Sequence, residues 1–216
     1  MLYHEQSGTL FLHIPRTGGT SIVDALALHW PTALIDNFEG KHKGASYWRD
    51  RLSSAVWWNL KLRFCVMRSP WEVVASDYRN TLRAGDLLNT VPRFRLNTPM
   101  VYQEYIRRTQ RYGSLATFFT NEYVAKNHFR GGLYRFYCMD GDIDLGVTVI
   151  QYHPEATWWP GFCKEHNLGQ IPLQRLNAGE KHEAVQWTPR LIERVGEFFS
   201  HDIEKFGYKP PAPNAD

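Results

Sequence analysis

The sequence predicts an α/β domain with a central parallel sheet, and three stretches carry that prediction. Residues 10–14 (LFLHI) form a mostly apolar run, stopped by a proline and followed by a glycine pair and an amphipathic segment. Residues 62–67 (LRFCVM) form a second run, followed by an arginine and a Ser-Pro-Trp-Glu helix start. Residues 147–151 (VTVIQ) form a third, with a helix expected from about 154 to 166. Apolar runs that alternate with helical patterns are how parallel sheets read in sequence. With 216 residues the chain fits a single domain. We place it at 1–209, with 86–144 as an acceptor-side insert and 210–216 as a loose, flexible tail. Composition, 43% apolar and 14% aromatic, is globular. A net charge of only +3 argues against a partner as charged as a nucleic acid polymer and favours a local basic pocket.

The first strand leads into the most informative stretch. Pro15 ends it, since proline has no backbone donor. Gly18 and Gly19 permit a tight turn and close backbone approach to a ligand. Thr20 and Ser21 are expected to cap a helix whose apolar face is Ile22, Val23, Ala25 and Leu26. Strand, glycine turn and helix start together make an anion site, because free N–H groups and the positive helix end meet there. Arg16 adds a full charge, and Thr17, Thr20 and Ser21 add hydroxyl donors.

The missing residues narrow the anion. A Walker loop, GxxxxGK[ST], needs Lys before its hydroxyl residue to work with magnesium. Aligned on Gly19, this chain has Thr20 at the Lys position and Ile14 at the first Gly. The site therefore suits a phosphate-like group without an obligatory metal.

PRTGGTS, residues 15–21, resembles the 5′-phosphosulfate loop of sulfotransferases that use 3′-phosphoadenosine 5′-phosphosulfate (PAPS), usually PKTGGTS. Arg16 replaces the usual Lys, keeping the charge and gaining a fork that grips two oxygens. In the second stretch, Arg68 ends a strand and Ser76 follows eight positions later. Ser69 to Glu72 reads as a capping box, and Ser76 falls on nearly the same helix face. The pair resembles the 3′-phosphate clamp of the same family. The resemblance covers about the first ninety residues well and the last seventy loosely, where DIEKFGY resembles the family's terminal helix. It hardly touches the middle.

The remaining elements are plainer. A short strand is expected at 33–35 and a helix at 45–57. Helices follow at 100–111 and 114–119. A last helix is capped by Thr188 and Pro189, after a polar loop at 176–182. Three cysteines, Cys65, Cys138 and Cys163, have no disulfide framework spacing, and Cys65 reads as a buried thiol. Cys163 and His166 have metal-like spacing without a second ligand pair, so no metal is expected. No apolar run approaches a membrane span and no signal peptide is legible, so a cytoplasmic protein is expected.

The resemblance implies a P-loop-like three-layer α/β/α fold and sulfuryl transfer from PAPS to an acceptor hydroxyl on a carbohydrate, lipid or other small molecule. Arg16 would hold the bridging and 5′-phosphate oxygens, with Thr17, Gly18, Gly19, Thr20 and Ser21 around them. Arg68 and Ser76 would hold the 3′-phosphate. A base is needed for the attacking hydroxyl, and His42 is the first candidate, with Glu39 its rival. His13 reads as structural or as a pocket wall. Two other readings stand beside this one. One is a nucleotide or small-molecule kinase with an atypical loop, and the other a non-catalytic binder of adenosine phosphates.

Overall fold

The structure is a computed structural model that describes residues 1–214 other than 37–39, 128, 130, 154–155 and 175–184. In chain order it contains β1 (Leu2–His4), β2 (Thr9–Leu12), α1 (Gly19–His29), β3 (Leu34–Ile35), α2 (Ala45–Leu52), α3 (Ser54–Asn59) and β4 (Leu62–Met67). Then come α4 (Pro70–Thr90), α5 (Pro92–Asn97), α6 (Met100–Gln110) and α7 (Leu115–Phe119), which runs into a π-helical turn, Thr120–Val124. The rest is α8 (Leu133–Cys138), the small β5–β6 hairpin (Met139–Asp140, Ile143–Asp144), β7 (Thr148–Gln151), α9 (Trp159–Glu165), α10 (Pro189–Phe198) and α11 (Ser200–Phe206).

The main sheet has the order β3-β1-β2-β4-β7. The three strands expected from sequence are its parallel part, with Phe11 opposite Phe64 and Cys65 opposite Val149. The whole sheet is mixed, which corrects the expectation of a purely parallel one. Residues 5–8 turn tightly, with the Gly8 N–H donating to the Glu5 carbonyl at 2.9 Å and Gly8 at φ 65°. That turn reverses the chain, so β1 lies antiparallel to both β2 and β3.

Helices cover both faces, and strand alternation sorts the core accordingly. Leu10, Leu12, Cys65 and Met67 face one side and pack with Trp71 and Val74 of α4, Phe118 of α7 and Val195 of α10. Phe11, Phe64 and Val66 face the other, against Ile22 and Leu26 of α1 and Trp159 and Phe162 of α9. Cys65 is fully buried, with its thiol 3.8 Å from that of Cys138.

Residues 86–144 share the main core. Phe119, Tyr123 and Tyr137 are buried in the same cluster as the sheet. The Asp202 carboxylate of α11 accepts the Leu133 and Tyr134 amides at 2.6 and 3.0 Å, satisfying the start of α8. Two expected helices are broken. The 45–57 helix divides at Ser53, which takes φ 68° and accepts the Val56 amide on its side chain. The terminal helix divides at Phe199, whose φ of −108° and ψ of 25° leave the helical region. The tail folds back as far as Asn214, whose amide donates to the Trp187 carbonyl at 3.0 Å. No helix among the described residues is long and apolar enough to cross a membrane.

Candidate functional site

The site lies at the carboxyl ends of β2, β4 and β7, where the parallel strands hand over to loops. After β2, Pro15 leaves the ladder and the Thr17 hydroxyl donates to the Ile14 carbonyl at 2.9 Å, tying the loop back on the strand. Arg16 takes φ 65°, an uncommon conformation for a residue with a side chain. Gly18, at φ 82°, is the actual helix cap, and it offers no side-chain hydrogen bond to the first turn. Thr20 and Ser21 therefore do not cap α1 as expected. They sit inside its first turn, because the glycine pair lets the helix begin at Gly19. The cap residue thus supplies no side-chain acceptor to the first turn of α1, the arrangement that suits an anion.

Gly19 is required by its neighbour. A Cβ there would fall 2.1 Å from Cδ2 of His13, whose ring packs directly on the loop. His13 is itself buried, and desolvation pushes its pKa down to about 3, so the ring is neutral at physiological pH.

His42 stands edge-on to His13, ring centroids 4.7 Å apart. Its Nδ1 lies 2.9 Å from the His13 carbonyl oxygen. A carbonyl only accepts, so Nδ1 carries the proton and Nε2 keeps its lone pair. Burial lowers the His42 pKa, and the Arg16 charge adds to that lowering, so the imidazole is held neutral. Its tautomer and charge state are those a general base needs. Glu39 lies outside the described residues, as does the 176–182 loop.

Arg16 and Ser76 come together. Both Nε and Nη2 of Arg16 lie 3.3 Å from the Ser76 Oγ. The guanidinium is drawn below its ordinary pKa by burial, opposed by the negative charge of Asp77. Asp77 in turn accepts a hydrogen bond from the Tyr123 hydroxyl at 3.1 Å, and its pKa is raised by burial against the pull of Arg16. The Tyr102 hydroxyl also feels both charges. Sequence reasoning missed this Asp77–Tyr123 support because Tyr123 arrives from the poorly legible middle region.

Arg68 is placed differently. It ends β4 as expected, but its Nε donates to Glu72 at 3.2 Å, and its guanidinium sits 4.7 Å from the Tyr152 ring centroid. Ser69 occupies the N-cap of α4 yet makes no side-chain cap bond. The expected capping box does not form, because Glu72 turns to Arg68 instead of the backbone. The start of α4, like that of α1, thus lacks a side-chain cap. Among the described residues no contact joins Arg68 to Ser76.

Tyr152 follows β7, anchored by its amide to the Met67 carbonyl at 2.7 Å. Its ring also lies against Gly18, where a Cβ would come within 3.2 Å of it. One aromatic thus touches both the loop after β2 and the arginine after β4. Its position after a core strand was the signal that could have found it. Among the described residues no group of three or more His, Cys, Asp or Glu is placed to hold a metal. Comparison of the chain with family models, with curated proteins and with solved structures returned no match in any of the three.

Proposed function

We propose that the protein transfers a sulfuryl group from PAPS to a hydroxyl of a carbohydrate or other small acceptor, with no metal requirement. One observation carries the reading. Two helix starts without side-chain caps, each with its own arginine, lie on adjacent parallel strands, and Arg16 of the first reaches Ser76 of the second helix. A nucleotide charged at both ends needs two such positions side by side, at the carboxyl edge of the sheet.

The residues present fit that donor. Gly18 and Gly19 add no side chain to the turn, which supports a close approach of the donor's 5′ end to the start of α1 with Arg16 beside it. The donor supplies an activated sulfuryl group on a phosphate leaving group. His42 Nε2 accepts the proton of the attacking hydroxyl. Arg16 and the α1 amides neutralise the charge that grows on the departing phosphate oxygen. The products are a sulfate ester and adenosine 3′,5′-bisphosphate.

Two measurements test the reading. Calorimetry should give much tighter binding of adenosine 3′,5′-bisphosphate than of AMP, unchanged by chelation of divalent ions. Labelled PAPS offered with sugars, phenols and lipids should transfer label to at least one hydroxyl class. Equal affinities and no transfer would defeat the proposal, and a magnesium requirement with ATP would move the protein to the kinases.

A further inference from the structure

Helix α4 carries more positive charge on one face than the site described above uses. Glu72, Ser76, Arg79 and Arg83 recur at helical spacing and fall within an arc of about 60°. Arg16 contacts this face at Ser76. Arg79 has no such partner. Its Nε is buried and makes no hydrogen bond among the described residues. A desolvated guanidinium donor left without an acceptor is costly, and folded proteins rarely keep one without a reason.

We propose that Arg79 joins Arg68 in seating the nucleotide's second phosphate, the terminal monoester with two negative charges; this rests on the sulfuryl-transfer reading above. Burial and the like charge of Arg68 both pull Arg79 below its ordinary pKa, with Glu72 opposing. Glu72 pairs with Arg68 alone, at 3.2 Å, so Arg79 is left with no carboxylate of its own among the described residues. The Glu72 carboxylate is itself half exposed, at 51%, so its hold on Arg68 is weak and open to exchange. A dianion placed between the arginines gives Arg79 Nε its missing acceptor and replaces Glu72 as the partner of Arg68. Planar guanidinium forks suit phosphate oxygens in a way that a single ammonium does not. In PAPS the 5′ end, held by Arg16 and the α1 amides, is bridged to the sulfuryl group and its phosphate carries less charge. The two ends of the ligand would be told apart by this difference.

The test uses the full chain and two commercial ligands, adenosine 3′,5′-bisphosphate and AMP, titrated calorimetrically. Arg79→Ala should lose about tenfold or more in bisphosphate affinity, the worth of a charge-assisted hydrogen bond, while AMP affinity stays unchanged. Glu72→Gln should tighten bisphosphate binding, because it removes the rival for Arg68. If wild type prefers the bisphosphate and Arg79→Ala keeps that preference, or loses both ligands equally, the role of Arg79 is refuted and the sulfuryl-transfer reading stands. If wild type shows no preference, that reading falls and takes this inference with it. Should the alanine variant fail to fold, Arg79→Lys reads the same quantity. It keeps the charge and loses the fork, so a fall in preference supports the seat and an unchanged preference refutes it.

Discussion

Arg16 and Ser76 are sixty residues apart in sequence, yet both Nε and Nη2 of the arginine lie 3.3 Å from the serine hydroxyl. The contact links the loop after β2 to the second turn of α4. It therefore ties the loop that starts α1 to the helix that starts after β4. A serine can accept these donors and release them cheaply, since the bond is neutral on its side. Arg16→Ala should reduce kcat more than it weakens nucleotide binding, because charge on the departing phosphate is largest in the transition state. Arg16→Lys should keep much of the rate. Steady-state kinetics beside calorimetry separates the two effects, and lost affinity at constant kcat would contradict the assignment.

Arg68→Ala should weaken nucleotide binding by about 1.5–3 kcal/mol, and Ser76→Ala by less. The Arg68–Glu72 pair, which joins the end of β4 to the first turn of α4, contributes little to stability, because ion pairs with an exposed partner are worth only about 0.2–1 kcal/mol. Thermal melts of Arg68→Ala should thus stay close to wild type while binding fails. Unchanged affinity in both variants would place the clamp elsewhere.

His42 holds its proton on Nδ1 against the His13 carbonyl, leaving Nε2 as the basic atom. His42→Ala should bind nucleotide normally and lose roughly a hundredfold or more in turnover. The wild-type rate should rise with pH through one ionisation that lies to the acid side of an ordinary imidazole, since burial lowers this group. At neutral pH the profile should already be flat. A profile that still climbs above pH 7 would rule out His42, and Glu39→Gln then becomes the variant to measure.

His13 gives a separate, stability-based expectation. Its folded pKa of about 3 lies below the ordinary 6.5, so the unfolded chain binds more protons between those values. The contribution is complete above pH 6.5 and is lost as pH falls toward 3. Asp202, raised to about 6 by burial, acts with the opposite sign over part of that range. The informative quantity is therefore the difference between wild type and His13→Gln in urea titrations at several pH values. That difference should shrink as pH drops, and a constant offset would mean that His13 is not buried neutral.

Gly19→Ala should destabilise the fold by about 1–3 kcal/mol, the usual cost of forcing atoms into a packed site. The new methyl would lie 2.1 Å from the His13 ring, which cannot yield without disturbing His42. Activity should fall further than stability accounts for. Thermal denaturation together with turnover measures both, and a fully active, stable variant would show that the histidine pair is not held by this contact.

The parallel strands were legible because each reads as a largely apolar run, with β2 and β4 almost wholly buried and β7 more exposed. The antiparallel strand β1 was not legible. Its three residues, Leu2–His4, lie among polar neighbours, and only the turn at Gly8 pairs them with β2. The loop at residues 15–19 was readable from its glycines and charge. Its cap was misplaced, because Gly18 in the left-handed region starts the helix before Thr20 can. Glu72 has a capping-box position by spacing, but the arginine four residues earlier offers a stronger partner. Asp77, Tyr123 and Tyr152 are joined by tertiary packing, and no short-range pattern encodes that.

Tyr152 lies against Gly18 on one side and beneath Arg68 on the other. The two ends of the site consequently have no independent walls. Widening the pocket at one end by shortening this side chain would loosen the other at the same time, so neither can be retuned alone. Anyone seeking to reshape this pocket would have to exchange three positions together, the loop glycine, the strand-end arginine and this ring, where a site with separate walls would yield to one change at a time.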